Sequence, residues 1–175
     1  MEVDHEFAAY GGGSTIRVDA MFTVAQAQSS DVESLCRLIY AEYETEAAQS
    51  PQIYDASDLV ESTKAIAAVY FSPMGAAWIA KCDDRDIGYC AIMRLPVFGN
   101  RRDTVTATGY YVVPEHRGSV AAALLWRKAE RWARKNGIVY AQGVYTALGE
   151  GGSKVLLGRG GEVVGQVVQM KLQGA

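Results

Sequence analysis

The chain has 175 residues, of which 49% are hydrophobic and 21% charged, and this length suggests one domain with its own core. Its 17 Lys and Arg residues against 20 Asp and Glu residues give a net charge of -3, which disfavours binding to nucleic acid or to a membrane surface. The three cysteines and two histidines have no metal-ligand spacing, so we expect reduced thiols and no metal site.

The N-terminal segment, residues 1–20, contains three consecutive glycines and little periodicity. We interpret it as an extension from a domain that spans 21–175. Its acidic start lacks the basic and apolar regions of a secretory signal. The longest charge-free stretch near the middle, 65–80, is interrupted by proline and glycine and is too short to span a bilayer. We therefore expect a cytoplasmic protein with no membrane partner.

The first half of the domain predicts a strand followed by two helices. Alternating residues over Met21–Gln28 suit the strand. Ser30 and Glu33 then have the spacing of a capping box, in which the serine hydroxyl accepts from the third helical amide and the glutamate accepts from the Ser30 amide. The helix that follows carries apolar residues at helical spacing, namely Val32, Leu35, Cys36, Ile39 and Tyr43. A second helix is predicted from a cap at Ser57 to about Tyr70.

The second half predicts a hairpin, then a βαβ unit, then two shorter elements. Their positions are strands Ala76–Lys81, Ile87–Leu95 and Thr104–Val113, a helix at 118–136, a strand at 138–145, a helix at 153–157 and a strand at 162–172. The complete order is β-α-α-β-β-β-α-β-α-β. Because hairpin strands are antiparallel and βαβ strands are parallel, we expect an α+β fold with one mixed central sheet flanked by helices.

The most informative segment is 111–125, where the fourth strand passes into the third helix through small residues. Amides at a helix N-terminus attract a diphosphate, although small residues there also allow close packing of helix on sheet. The segment resembles the central motif of the GNAT acetyltransferases, Arg/Gln-x-x-Gly-x-Gly/Ala, with Arg117, Val120 and Ala122 at the specified positions. Its form Pro-Glu-His-Arg-Gly-Ser-x-Ala-Ala is similar to phage and prophage members of that family.

The resemblance covers about 21–172 and implies an N-acyltransferase that uses acetyl-CoA as co-substrate. In such enzymes an amine attacks the thioester directly within a ternary complex. The cofactor-binding residues that the resemblance implies are Val112 and Val113 at the pantetheine arm and Arg117, Gly118, Ser119, Val120, Ala121 and Ala122 at the diphosphate. The expected partners are acetyl-CoA and an amine acceptor, and a second copy of the chain or phage structural proteins are further candidates.

Two departures from the family pattern lead to a second hypothesis. Val120 stands where a glycine is usual, and Leu156 occupies the position of a tyrosine that protonates the departing thiolate. Tyr145 is the candidate substitute for that acid, although a strand tyrosine is more often part of a core. The alternative is therefore a GNAT-fold module without turnover, in a phage particle or as a regulatory subunit.

Three further features have a structural and a functional interpretation. Glu42, Glu44 and Glu46 either line an amine pocket or form a solvated helix face, and we favour the solvated face. Adjacent Tyr110 and Tyr111 must point to opposite sides of their strand, and packing is the default for both. Eight of the 18 glycines lie between 143 and 165, which indicates a remodelled last helix.

Overall fold

The computed structural model describes residues 21–49, 59–96, 103–138 and 140–143, and the fold is presented for these ranges. The elements are β1 (Phe22–Gln26), α1 (Val32–Gln49), α2 (Leu59–Tyr70), β2 (Gly75–Cys82), β3 (Arg85–Pro96), β4 (Asp103–Val112), α3 (Val120–Lys135) and β5 (Tyr140–Gly143). Short 3₁₀ helices precede α1 and α3, at Ser29–Asp31 and Pro114–His116. The predictions for the extension 1–20, for Ser57 and for the helix and strand beyond 150 lie outside the described residues.

The described strands form one mixed sheet in the order β1-β2-β3-β4-β5. β1 to β4 pair antiparallel, and β4 pairs parallel with β5. The parallel pair follows from the helix between the two strands, because a crossover through α3 returns the chain in the same direction. The predicted α+β fold around a mixed sheet is confirmed.

The hairpin between β2 and β3 is tighter than the sequence suggested. The predicted strands end at Lys81 and begin again at Ile87, but Cys82 already pairs with Arg85. Only Asp83 and Asp84 form the loop, and both have positive φ, +47° and +65°. This is the backbone of a type I′ turn, which matches the twist of the flanking strands and favours Asp, Asn or Gly at both positions.

The start of α1 corrects the prediction of a capping box at Ser30 and Glu33. A 3₁₀ turn begins earlier, and the Oδ2 atom of Asp31 accepts a hydrogen bond from the Gln28 amide at 2.8 Å. The Asp31 amide in turn donates to the Gln28 carbonyl at 2.8 Å. Ala27 is still bonded to Ala77 of β2, so the chain turns immediately after the sheet and Asp31 takes the role expected of Glu33.

Each face of the sheet has its own core, because successive strand residues point to opposite sides. The α3 face is covered by α3, whose buried residues are Ala121, Leu125, Trp126, Ala129 and Ala133. Leu125 is fully buried there, a burial that contributes about 1.5–3 kcal/mol. The α1 face is covered by α1 and α2, with Leu35, Ile39 and Ala67 against Ile79 and Tyr89. None of the described helices is long and apolar enough to cross a membrane.

Candidate functional site

The C-terminal half of β4 extends past its partner on one side. Within the described residues, β4 pairs with β5 from Thr104 to Ala107 and then continues for five residues to Val112. The next amide, that of Val113, donates to the Ile87 carbonyl of β3. Alternate residues of an antiparallel strand turn their backbone groups toward and away from one neighbour, so the N–H and C=O of Val112 point away from β3.

A β-bulge marks the position where the pairing with β5 ends. Ala91 of β3 pairs with Gly109, whereas the following residue, Ile92, pairs with Ala107. Thr108 is therefore the additional residue on β4. A bulge bends its strand and increases the local twist, and bulges are frequent next to active sites.

The turn after β4 is held by its own backbone. The amide of Val113 bonds to Ile87, and the Val113 carbonyl accepts from the His116 amide at 2.9 Å. Both backbone groups of Val113 are thus engaged within the fold. The His116 ring, half-buried, packs edge-on against Phe22 with centroids 6.1 Å apart. This turn delivers the chain to the start of α3 in a fixed direction.

The N-terminus of α3 presents backbone amides with little steric cover. Gly118 has a positive φ of +83°, and a Cβ atom placed there would meet no atom within 4 Å. Ser119 is the N-cap, and its hydroxyl accepts from the Ala121 amide at 3.3 Å. The first amides of a helix have no carbonyl acceptor within the helix, because no turn precedes them. The amides of Val120 and Ala122 are of this kind. With the helix dipole they form a site that favours an anion.

Arg117 connects this N-terminus to the end of β4. Its Nε donates to the Val112 carbonyl at 3.1 Å. Its guanidinium also lies over the Tyr111 ring, 5.8 Å from the centroid, at the distance of a cation–π contact. The side chain is largely exposed, so its positive charge borders both the strand edge and the anion-favouring helix start.

Tyr110 and Tyr111 point to opposite sides of β4, as expected. The Tyr110 hydroxyl donates to the Ala122 carbonyl at 2.8 Å, and its ring packs edge-on against Trp126. Tyr111 is buried on the α1 face, with its hydroxyl 3.4 Å from that of Thr45. Tyr110 thereby fixes the first turn of α3 relative to β4, which is the packing role predicted for it.

A polar cluster lies on the α1 face beside the bulge. Glu42 accepts a hydrogen bond from the hydroxyl of Tyr89, and the Thr108 hydroxyl donates to the Tyr70 oxygen at 3.0 Å. Burial, with the nearby charge of Glu42, raises the pKa of Tyr89 well above its usual value. Burial likewise raises the pKa of Tyr70 to about 12. Both phenols are therefore neutral; Tyr89 donates its hydrogen bond to the Glu42 carboxylate, and Tyr70 accepts one from Thr108.

The expectation of a solvated acidic face is wrong for Glu42. Glu42 is half-buried and engaged by Tyr89, whereas Glu44 is exposed as predicted, and the side chain of Glu46 lies outside the described residues. Tyr145 and Leu156 also lie outside the described residues. The side chain of Val120 is 56% exposed. In the described ranges no three His, Cys, Asp or Glu residues are grouped so as to hold a metal ion.

Comparison with known proteins identifies the family. The model of the acetyltransferase (GNAT) family matches residues 33–149, about two thirds of the sequence. The chain belongs to the acetyltransferase (GNAT) family. The strand edge and helix N-terminus described above lie within the matched range. No curated protein matches this GNAT chain.

Solved structures of acetyltransferases share the GNAT fold at low sequence identity. A predicted acetyltransferase with acetyl-CoA from Clostridium acetobutylicum has a TM-score of 0.68 and 17% identity, covering 86% of this chain and 96% of that one. The aminoglycoside N-acetyltransferase AAC(6')-Iy in complex with CoA has a TM-score of 0.65 and 16% identity, covering 91% and 99%. An aminoglycoside acetyltransferase from an uncultured soil metagenomic sample, in complex with sisomicin, has a TM-score of 0.65 and 10% identity, covering 88% and 97%. These similarities support the fold.

Proposed function

We propose that the chain is an N-acyltransferase that transfers an acetyl group from acetyl-CoA to an amine. The observation that carries the proposal is the junction of two surfaces, the edge of β4 up to Val112, beside which no described strand pairs beyond Ala107, and an anion-favouring helix start at Gly118–Ala122. A thioester with a diphosphate at its far end matches this junction. Two structures similar to this chain are described as complexes with CoA or acetyl-CoA, which supports the same ligand.

The two surfaces suggest how acetyl-CoA would lie. Its diphosphate would accept hydrogen bonds from the amides of Gly118, Val120 and Ala122, with the charge of Arg117 beside it. Its pantetheine arm would run along β4 as an added strand, bonded to the Val112 N–H. The five residues from the bulge to Val112 extend over roughly 17 Å, which is comparable with an extended pantetheine arm. The thioester would then lie near Thr108.

The chemistry requires a neutral amine beside that thioester. A lysine-like amine has a pKa near 10.4 and is mostly protonated at pH 7, which costs about 4–5 kcal/mol to reverse. Once the proton has left to water, the amine nitrogen forms a bond to the carbonyl carbon and the C–S bond breaks. The CoA thiolate takes up the second proton that the nitrogen loses. Holding both reactants in line supplies up to about 7–11 kcal/mol of the barrier reduction.

A second candidate is a GNAT-fold module without turnover that has a structural or binding role, for instance as a phage particle component or a regulatory subunit. Val120 favours it, because a β-branched side chain stands where the family usually has glycine. Leu156 favours it too, because leucine cannot protonate a thiolate. The two candidates differ in one measurable property, the release of CoA thiol.

Thermal-shift titration with acetyl-CoA tests the binding step. A ligand at 100 times its dissociation constant stabilises a protein by about 2.7 kcal/mol, a shift of about 5–11 °C for a chain of this length. We expect this shift in the wild type and its loss in Gly118→Asp, which adds bulk and negative charge at the diphosphate site. Gly137→Asp is the matched control, since Gly137 also has positive φ and open space around it, at the other end of α3.

Thiol release with a panel of amines then separates the two candidates. Release that depends on both acetyl-CoA and the amine supports the enzyme. A wild-type protein that is stabilised by acetyl-CoA but releases no thiol supports the module without turnover. If millimolar acetyl-CoA leaves the melting temperature unchanged, the enzyme and any module that binds acetyl-CoA are both wrong.

A further inference from the structure

The carboxylate of Glu42 is held in a defined position. Glu42 lies on the side of α1 that meets the sheet and accepts a hydrogen bond from the hydroxyl of Tyr89, which is 2% exposed. The Tyr89 ring crosses β4 at Gly109, where an added Cβ atom would come within 2.6 and 2.8 Å of ring carbons. The absence of a side chain at Gly109 is therefore what allows the phenol to reach Glu42.

This position is next to the place where the thioester is proposed to lie. Gly109 adjoins the bulged residue Thr108, at which β4 ends its described pairing with β5. Thr108 is exposed, and its hydroxyl donates to the oxygen of buried Tyr70. The cluster of Glu42, Tyr89, Tyr70 and Thr108 thus reaches from the core to the surface of the α1 face beside the bulge.

The hydrogen bond from Tyr89 favours the ionised form of Glu42. The phenol of Tyr89 supplies a hydrogen bond to the carboxylate but no charge, because its raised pKa keeps it neutral. A hydrogen bond donated to a carboxylate stabilises the ionised form and makes it a weaker base. Partial burial strengthens the attraction of such a charge for a cation, relative to the same pair in water. The cluster therefore suits the binding of an ammonium group better than the removal of its proton.

We propose that Glu42, oriented by Tyr89, binds an ammonium group of the acceptor, so that the substrate is a cationic amine that approaches the thioester across the α1 face. This inference rests on the proposed acetyl transfer and adds the class of acceptor and the residue that selects it. Glu42 binds the substrate, and Tyr89 is a positioning residue.

Steady-state kinetics of thiol release with two probes, 1,4-diaminobutane and n-butylamine, tests the proposal. For Glu42→Gln we expect the KM for 1,4-diaminobutane to rise at least tenfold, with kcat within threefold and the KM for acetyl-CoA unchanged. Glu42→Asp keeps the charge and should recover most of the affinity. Tyr89→Phe removes the positioning hydroxyl and should raise the same KM several-fold. If KM rises only for 1,4-diaminobutane, Glu42 binds the second ammonium of the diamine. If KM rises for both probes, Glu42 binds the amine that reacts.

Glu44→Gln is the matched control, because Glu44 is exposed two residues along the same helix and loses the same charge. Its kinetic constants should equal those of the wild type. The acetyl-CoA thermal shift of every variant reports whether the fold and the co-substrate site are intact. If the wild type turns over the probes and Glu42→Gln leaves the amine KM unchanged, the Glu42 proposal alone is wrong. If the wild type is stabilised by acetyl-CoA but releases no thiol with these probes or with any amine of the panel, the proposed transfer and the acceptor site both fail.

Discussion

Replacement of Gly109 by alanine perturbs the contact on which the polar cluster depends. The new Cβ atom would lie 2.6 Å from Cε2 and 2.8 Å from Cζ of Tyr89, against an ordinary carbon–carbon contact of about 3.5–4.0 Å. The ring is 2% exposed and packed among core residues, so either the ring or β4 must move by about 1 Å. Overpacking of this kind costs about 1–3 kcal/mol. We therefore expect Gly109→Ala to lower the free energy of unfolding by about 2 kcal/mol.

Urea denaturation measures this loss directly. With m near 1–3 kcal/mol per molar, about 2 kcal/mol moves the unfolding midpoint by about 1 M. Gly137→Ala is the comparison, because Gly137 has φ of +71° and no atom within 4 Å of an added Cβ, so only about 1–2 kcal/mol of left-handed backbone strain applies.

A double-variant cycle with Tyr89→Leu identifies the source of the effect at Gly109. Removal of the ring should make alanine at position 109 nearly neutral, which gives a coupling energy of about 1–2 kcal/mol. A Gly109→Ala protein that unfolds at the wild-type midpoint would refute the placement of the Tyr89 ring. If Gly109→Ala lowers the free energy of unfolding by the same amount in the Tyr89→Leu protein, the strand itself, and not the phenol, requires glycine.

Three further predictions concern stability. Burial raises the pKa of Cys90 and of Tyr70 to about 12, above 9.0 and 10.0, so the folded state retains protons that the unfolded state loses. The free energy of unfolding should then be unaffected by these groups below pH 9. Above pH 9 it should fall by up to about 1.4 kcal/mol per pH unit for each group. A urea midpoint that stays constant to pH 11 would contradict this. Ser119→Ala removes the N-cap of α3 and should cost about 1 kcal/mol in urea denaturation, whereas Ser119→Gly should cost only a few tenths. Leu125→Ala empties a fully buried site and should cost about 2–5 kcal/mol, and a change below 1 kcal/mol would show that α3 does not cover the sheet as described.

The sequence predicted the features that depend on local patterns. The alternation over β1 and the helical spacing in α1 correspond to observed elements, and β1 to β4 and α3 have ends within one or two residues of the predicted ones. The parallel pairing of β4 and β5 followed from the crossover rule. The cap of α1 was wrong because two residues near each other, Asp31 and Glu33, are equally able to accept an amide hydrogen bond. Only the exit of the chain from β1 decides between them.

The polar cluster could not be predicted in the same way. Glu42 and Tyr89 are 47 residues apart and meet only because α1 packs across β3. The bulge at Thr108 is a property of the register between two strands, and no residue in the segment encodes it alone. Glu42 and Glu44 look equivalent in the sequence, but their positions around the helix leave Glu42 half-buried and Glu44 exposed. The available signal was a glycine, Gly109, within a strand otherwise rich in β-branched and aromatic residues.

The central claim is that acetyl-CoA lies along the edge of β4 with its diphosphate at the start of α3. The amide ¹H–¹⁵N spectrum of the wild-type protein, recorded during titration with acetyl-CoA, tests it most directly. The account predicts saturable shifts concentrated at Val112, Gly118, Val120 and Ala122, with little change at Gly137. Saturable shifts centred on another surface, or none at millimolar acetyl-CoA, would contradict it.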